Sequence, residues 1–129
     1  MIISGILNPQ INSLLGRVRH TNTLVIADRG FPFWPGIETV DLSLVDDIPR
    51  VLDVLQAIRP NFNVGRFFMA EEFRRSNIPA VTRQWLEATA GAELVFEPHI
   101  DFKKRVPQAV GLIRTADTIP YANILLESG

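Results

Sequence analysis

The chain has 129 residues, 47% of them apolar, with thirteen Lys and Arg against fourteen Asp and Glu; that is the composition of a soluble globular protein, long enough for one domain over residues 1–129 and too short for two. A net charge of −1 leaves no electrostatic footprint for nucleic acid or an anionic membrane. Zero cysteines exclude disulfides, thiolate catalysis, zinc ribbons and iron–sulfur clusters, so packing alone must hold the fold.

The opening run Met1-Ile2-Ile3-Ser4-Gly5-Ile6-Leu7 is too short for a signal sequence and lacks a basic leader. No stretch approaches the roughly 18 apolar residues of a membrane span. A cytoplasmic protein is expected.

Asn8 before Pro9 is a helix start, because the Asn side chain caps free N–H groups and proline at the first helical position gives up no needed donor. Ile11, Leu14, Leu15 and Val18 then form one buried stripe, which predicts a helix from Pro9 to Arg19 with His20 at its C-terminal end. Thr23 to Ala27 reads as a strand covered on both faces, ending on Asp28. Arg29 to Gly36, with two glycines and two prolines, is an aromatic loop, and Glu38 to Leu44 is a second strand. Ile48, Val51, Leu52, Leu55 and Ile58 mark a helix that Pro60 terminates.

Val64 to Ala70 is a third strand, rich in β-branched and aromatic residues, and Glu71 to Arg75 a helical turn. A helix from Pro79 to about Ala90 ends at Gly91. Leu94 to Glu97 is a strand, Ile100 to Val106 a short helix, Ala109 to Ile113 a strand and Ile124 to Leu126 the last strand. Strands alternating with helices imply an α/β domain, three layers α/β/α around a mostly parallel or mixed central sheet.

Neither G-x-x-x-x-G-K nor G-x-G-x-x-G occurs, so nucleoside triphosphates and dinucleotides have no motif. His20 and His99 are far apart and neither has a partner at metal-ligand spacing on a helix, so no metal site is expected. What remains is a set of polar residues at strand and helix ends, where α/β proteins place their sites: His20, Asp28, His99 and the Tyr121-Ala122-Asn123 turn. On spacing alone these positions also have ordinary structural roles, His20 as a partner of the last helix carbonyls and Asp28, Tyr121 and Asn123 as turn residues.

Gly16-Arg17-Val18-Arg19-His20-Thr21-Asn22 followed by an apolar strand, Asp28 and a proline loop resembles the first signature of the D-ribose pyranase and L-fucose mutarotase family. Pro98-His99-Ile100-Asp101-Phe102-Lys103-Lys104 resembles its second histidine segment, and Pro120-Tyr121-Ala122-Asn123-Ile124-Leu125-Leu126 its C-terminal motif. Three collinear motifs spanning the chain are specific where one is weak. The resemblance implies an enzyme interconverting ring forms or anomers of a reducing monosaccharide without cofactor or metal. In it His20 matches the proton donor, and Asp28, His99, Tyr121, Ala122 and Asn123 the sugar-binding positions. His99 favours the ribose branch, since the fucose branch tends to carry arginine there; an L-fucose-type mutarotase and a non-catalytic sugar-binding protein are the alternatives. The resemblance further implies a ring-like homo-oligomer, typically a decamer, with sites shared between chains, and the expected division lends Tyr121 and Asn123 of one chain to His20 and Asp28 of another.

The chemistry suits those residue types. Opening a cyclic hemiacetal needs a proton delivered to the ring oxygen and one removed from the anomeric hydroxyl, and histidine, with an ordinary pKa of about 6.5, serves such transfer near neutral pH. Aspartate, tyrosine and asparagine bind hydroxyls. Trp34 or Phe33 is placed to stack on a sugar ring or, equally, to pack at a subunit contact. Lys103, four residues after His99, shares its helix face and is a weaker candidate for a sugar hydroxyl. The Lys103-Lys104-Arg105 cluster is too small for nucleic acid.

Overall fold

In a computed structural model describing residues 1–129, Asn8 and Pro9 start helix α1 (Pro9–Arg17) as expected, with the Ile11 N–H donating to Asn8 Oδ1 at 2.9 Å. The helix stops at Arg17, not Arg19, because Val18 is already extended (φ −78°, ψ 125°). Arg19 to Asn22 instead close a turn: the Arg19 N–H donates to Asn22 Oδ1 and the Asn22 N–H to the Arg19 carbonyl, both at 2.9 Å, with Thr21 left-handed at φ 66°. His20 therefore lies exposed in that turn and not on the helix.

Strand β1 (Thr23–Ala27) follows as predicted. Strand β2 (Glu38–Asp41) is shorter than expected. Asp41 Oδ1 accepts the Ser43 N–H, and Leu44 and Ile48 close a turn that leaves Ile48 exposed before the helix. Helix α2 (Val51–Ile58) passes into a 3-10 turn, Arg59–Asn61, which accommodates Pro60. Then come β3 (Val64–Ala70), α3 (Glu72–Ser76), α4 (Pro79–Ala88) and β4 (Glu93–Glu97). Helix α5 (His99–Arg105) runs into a 3-10 turn, Val106–Gln108, and β5 (Gly111–Arg114) and β6 (Ile124–Ser128) complete the chain.

The strands form one six-stranded sheet in the order β2-β5-β1-β6-β3-β4. It is mixed: β1 and β2 run parallel to β5, β3 runs parallel to β4, and β6 is antiparallel to both β1 and β3. Side-chain alternation divides the core. Leu24, Ile26, Phe67, Met69, Ile113, Ile124 and Leu126 meet the buried stripes of α1, α2 and α4 on one face, while Val25, Phe68, Leu112 and Leu125 meet Phe102 and Val106 on the other. This is the three-layer α/β/α architecture read from the sequence. Gly111 permits the approach of α1, since a Cβ there would lie 2.5 Å from Leu14 Cδ1.

Candidate active site

The topology places the site. The C-terminal ends of β1, β3 and β4 and the N-terminal end of antiparallel β6 lie at one edge of the sheet, the usual place for ligands in open α/β sheets. Asp28 follows β1, His99 follows β4, and Tyr121 and Asn123 precede β6. Together with Gly30, Phe31, Pro32 and Pro120, these four side chains line a cavity of about 250 Å³. A second cavity of about 290 Å³, bounded by residues of α1 and α2, is mainly apolar, with Asp53 its sole ionisable side chain. It offers no acid–base pair.

Asp28 is half-buried, and loss of hydration raises its carboxyl above the ordinary range. The Gly30 and Phe31 N–H groups and the Asn123 side chain oppose that rise, while the charge of Asp117 adds to it. The Gly30 N–H donates to Asp28 Oδ1 at 3.0 Å, and the Asp28 N–H donates to Asn123 Oδ1 at 2.7 Å.

His99 is the first residue of α5. Its N–H is met by the Glu72 carboxylate at 3.0 and 3.2 Å, from the helix that follows β3. Its ring lies edge-on to Tyr121 (centroids 5.1 Å apart) and nearly parallel to Phe102 (6.2 Å). Burial lowers its pKa below 6.5, Lys103 lowers it further, and Glu72 and Asp28 act the other way. Nδ1 is buried without a hydrogen-bond partner, which leaves Nε2 to meet a ligand. Tyr121 is held left-handed at φ 56°, a conformation uncommon for a bulky residue and concentrated at functional sites.

Not every expected residue comes to this cavity. The Ala122 methyl is fully buried in the core, so Ala122 has only backbone atoms to offer. Phe33 is 72% exposed, and Trp34 and Lys103 border a separate shallow surface with Ile100, Lys104 and Pro107. Phe31 and Pro32 line the cavity in place of Phe33 and Trp34.

His20 precedes β1 whereas Asp28 follows it, so the strand separates them by about 17 Å at ~3.3 Å per residue. The expected division of the site is thus corrected: Tyr121 and Asn123 join Asp28 within one chain, and His20 is the residue set apart. Glu72, Thr115 and Asp117 went unnoticed in the sequence; the last two had as their only signal the turn-forming polar stretch before Pro120. Nowhere do three or more His, Asp or Glu side chains converge as metal ligands would, and no helix is long and apolar enough to cross a membrane.

The pattern of the RbsD / FucU transport protein family matches residues 1–129. D-ribose pyranase of Chromobacterium violaceum is 42% identical over 125 residues, covering 97% of this chain and 95% of the relative. D-ribose pyranase of Geobacillus kaustophilus is 40% identical over 126 residues, covering 98% and 92%. The structure of Bacillus subtilis RbsD complexed with D-ribose superposes with a TM-score of 0.93 at 31% identity, over 100% of this chain and 98% of that one. The fucose mutarotase from Streptococcus pneumoniae, in complex with L-fucose, shares the fold at a TM-score of 0.77 and 20% identity, over 95% and 93%. Full-length likeness in sequence and in fold makes this chain a member of the RbsD / FucU transport protein family.

Proposed function

We propose that this protein is an enzyme that opens and recloses the ring of a reducing monosaccharide, interconverting the pyranose and furanose forms of D-ribose. The observation that carries the reading is the convergence of Asp28, His99, Tyr121 and Asn123 on one small cavity, in a chain whose full-length relatives are named D-ribose pyranases. These side chains offer a carboxylate, an imidazole, a phenol and an amide, which suit sugar hydroxyls approaching from several directions.

In this reading the imidazole and the carboxylate take complementary parts. At neutral pH His99 is uncharged, since its pKa lies below 6.5, and an unprotonated Nδ1 costs less in a buried position than an N–H without a partner. Nε2–H then donates to a sugar oxygen. Asp28 in its ionised form accepts from hydroxyls. Ring opening delivers a proton to the ring oxygen, from His20 in this reading, and removes one from the anomeric hydroxyl, which the Asp28 carboxylate accepts; reclosure returns both. A second copy of the chain must bring His20, because β1 separates it from Asp28 in each protomer. The same reading makes the protein a cytoplasmic ring-like homo-oligomer, a decamer by the family resemblance; light scattering and cell fractionation check these points.

Saturation-transfer NMR on D-ribose tests the activity. The protein should accelerate exchange between pyranose and furanose anomeric signals, as general acid–base help is commonly worth about a hundredfold or more. Binding without faster exchange, across ribose, fucose and related sugars, identifies a sugar-binding protein without turnover. Faster exchange of fucose than of ribose identifies an L-fucose-type mutarotase.

A further inference from the structure

Asp117 is 1% exposed, lies outside the lining of the sugar cavity and has no place in the chemistry above. A buried carboxylate is costly unless its oxygens are met by donors. Here backbone N–H groups meet both: Val51, the first residue of α2, donates to Oδ2 at 3.0 Å, and Ile119 donates to Oδ1 at 2.9 Å. The backbone of Asp117 is engaged as well. Its N–H donates to Thr115 Oγ1 at 3.2 Å, and its carbonyl accepts the Arg29 N–H at 3.1 Å. Thr115 in turn donates to the Ala27 carbonyl from both Oγ1 (2.7 Å) and its backbone N–H (2.8 Å).

These bonds have a common consequence. Ala27 and Arg29 flank Asp28, and both are tied to the loop that follows β5. Ile119 lies two residues before Tyr121, and it is tied to the same carboxylate. The segment carrying Asp28 and the segment carrying Tyr121 are thereby fixed to one another and to the N-terminus of α2, whose dipole favours a negative charge at that place.

We propose that Asp117 is a positioning residue of the sugar site: its buried carboxylate fixes the segment leading to Tyr121 on the N-terminus of α2, while its carbonyl, with Thr115, holds the backbone on either side of Asp28. The role rests on the sugar-site reading above, and its test uses binding and titration, which need no turnover. An Asn at this position keeps the shape but has one acceptor oxygen, so its NH2 group must face a backbone N–H and one of the two anchors is lost. The charged and titratable groups around Asp28 are His99 on α5, Arg29 beside it, Arg114, which donates to the Asp28 carbonyl at 3.3 Å, Tyr121 in the facing wall, and Asp117. Asp117→Asn changes the charge of the last alone.

In Asp117→Asn the dissociation constant for D-ribose should rise about tenfold, as expected for a lost hydrogen bond to a charged group. The carboxyl carbon of Asp28, followed by NMR, should titrate at a lower pH than in the unsubstituted protein, since the charge of Asp117 holds the Asp28 carboxyl up. A purely structural role lowers the melting temperature and leaves the ribose affinity of the folded protein in place, whereas the Asp28 shift follows from the lost charge in either case. A folded Asp117→Asn protein with unchanged ribose affinity overturns the proposal. If that variant does not fold, Thr115→Val decides: it removes the acceptor of the Asp117 N–H at nearly constant shape and should weaken ribose binding, and undiminished affinity overturns the proposal. Absence of ring exchange in the unsubstituted protein defeats the enzymatic reading and leaves this one to be judged by ribose affinity.

Discussion

The backbone N–H of Asp28 donates to Oδ1 of Asn123 at 2.7 Å, joining residues 95 positions apart where β1 ends and β6 begins. With its oxygen engaged by the backbone, the Asn123 amide has only N–H groups to present to Asp28 and to a ligand. Asn123 is 4% exposed, so the arrangement is held by packing. Asn123→Asp keeps the acceptor and removes the donors, placing a second carboxylate beside Asp28. Ribose affinity should fall about tenfold, and Asp28 should titrate at a higher pH; calorimetric titration and carboxyl-carbon NMR measure the two effects.

Asp28 itself stands against stability. Its folded pKa is raised above 3.8, chiefly by burial, so folding favours the protonated form. That contribution is fully present below about 3.8 and is lost as pH rises through the folded value. At neutral pH the ionised group is a cost to the fold. Asp28→Asn should therefore melt at the same or a higher temperature at pH 7 while binding ribose more weakly, and its thermal advantage should shrink as pH falls through the raised pKa. A variant that loses stability at pH 7 contradicts the burial argument.

The imidazole of His99 should show an NMR midpoint below 6.5, since burial first and Lys103 second disfavour its charge. The unfolded chain binds a proton at a higher pH than the folded one, so this residue's contribution is present above 6.5 and is lost as pH falls through the folded value. Lys103→Ala should raise the midpoint. Glu72→Ala should lower it, and should also destabilise the protein by about 1 kcal/mol, because the His99 N–H loses its acceptor at the start of α5.

Two defective chains should make one working site. His20→Ala lacks the proposed acid and Asn123→Ala lacks a sugar contact, and the two positions lie at opposite ends of the sheet. If His20 reaches the cavity of a second copy, mixed oligomers contain some sites with both residues intact, and exchange activity should recover on mixing. Wild-type exchange from a species of single-chain mass would sink the shared site.

Gly111→Ala should destabilise the fold by about 1–3 kcal/mol without touching the cavity. The added methyl would meet Leu14, which is fully buried between α1 and the sheet. Denaturant titration measures the loss, and ribose affinity of the folded fraction should be unchanged.

The elements were legible in the sequence because their signals are local. Asn8-Pro9 starts α1, Ile11 and Leu14 pack it, and the apolar run Thr23–Ala27 is a central strand buried on both faces. Their place at strand and helix ends made Asp28, His99, Tyr121 and Asn123 candidates, and the resemblance of their motifs to the D-ribose pyranase and L-fucose mutarotase family marked them as sugar-binding positions. Local signals did not reveal that β6 runs antiparallel between β1 and β3, and that reversal alone carries Tyr121 and Asn123 to the edge where Asp28 and His99 lie. Helix α1 ends at Arg17, short of the Arg19 that periodicity predicts, because Asn22, beyond the stripe, closes the turn that holds His20. Asp117 reads as one more turn residue until tertiary contacts bring Val51 and Ile119 to its two oxygens. Periodicity and caps act within a few residues along the chain, whereas the site depends on strand order and on hydrogen bonds spanning 66 to 95 positions, which only the folded sheet sets.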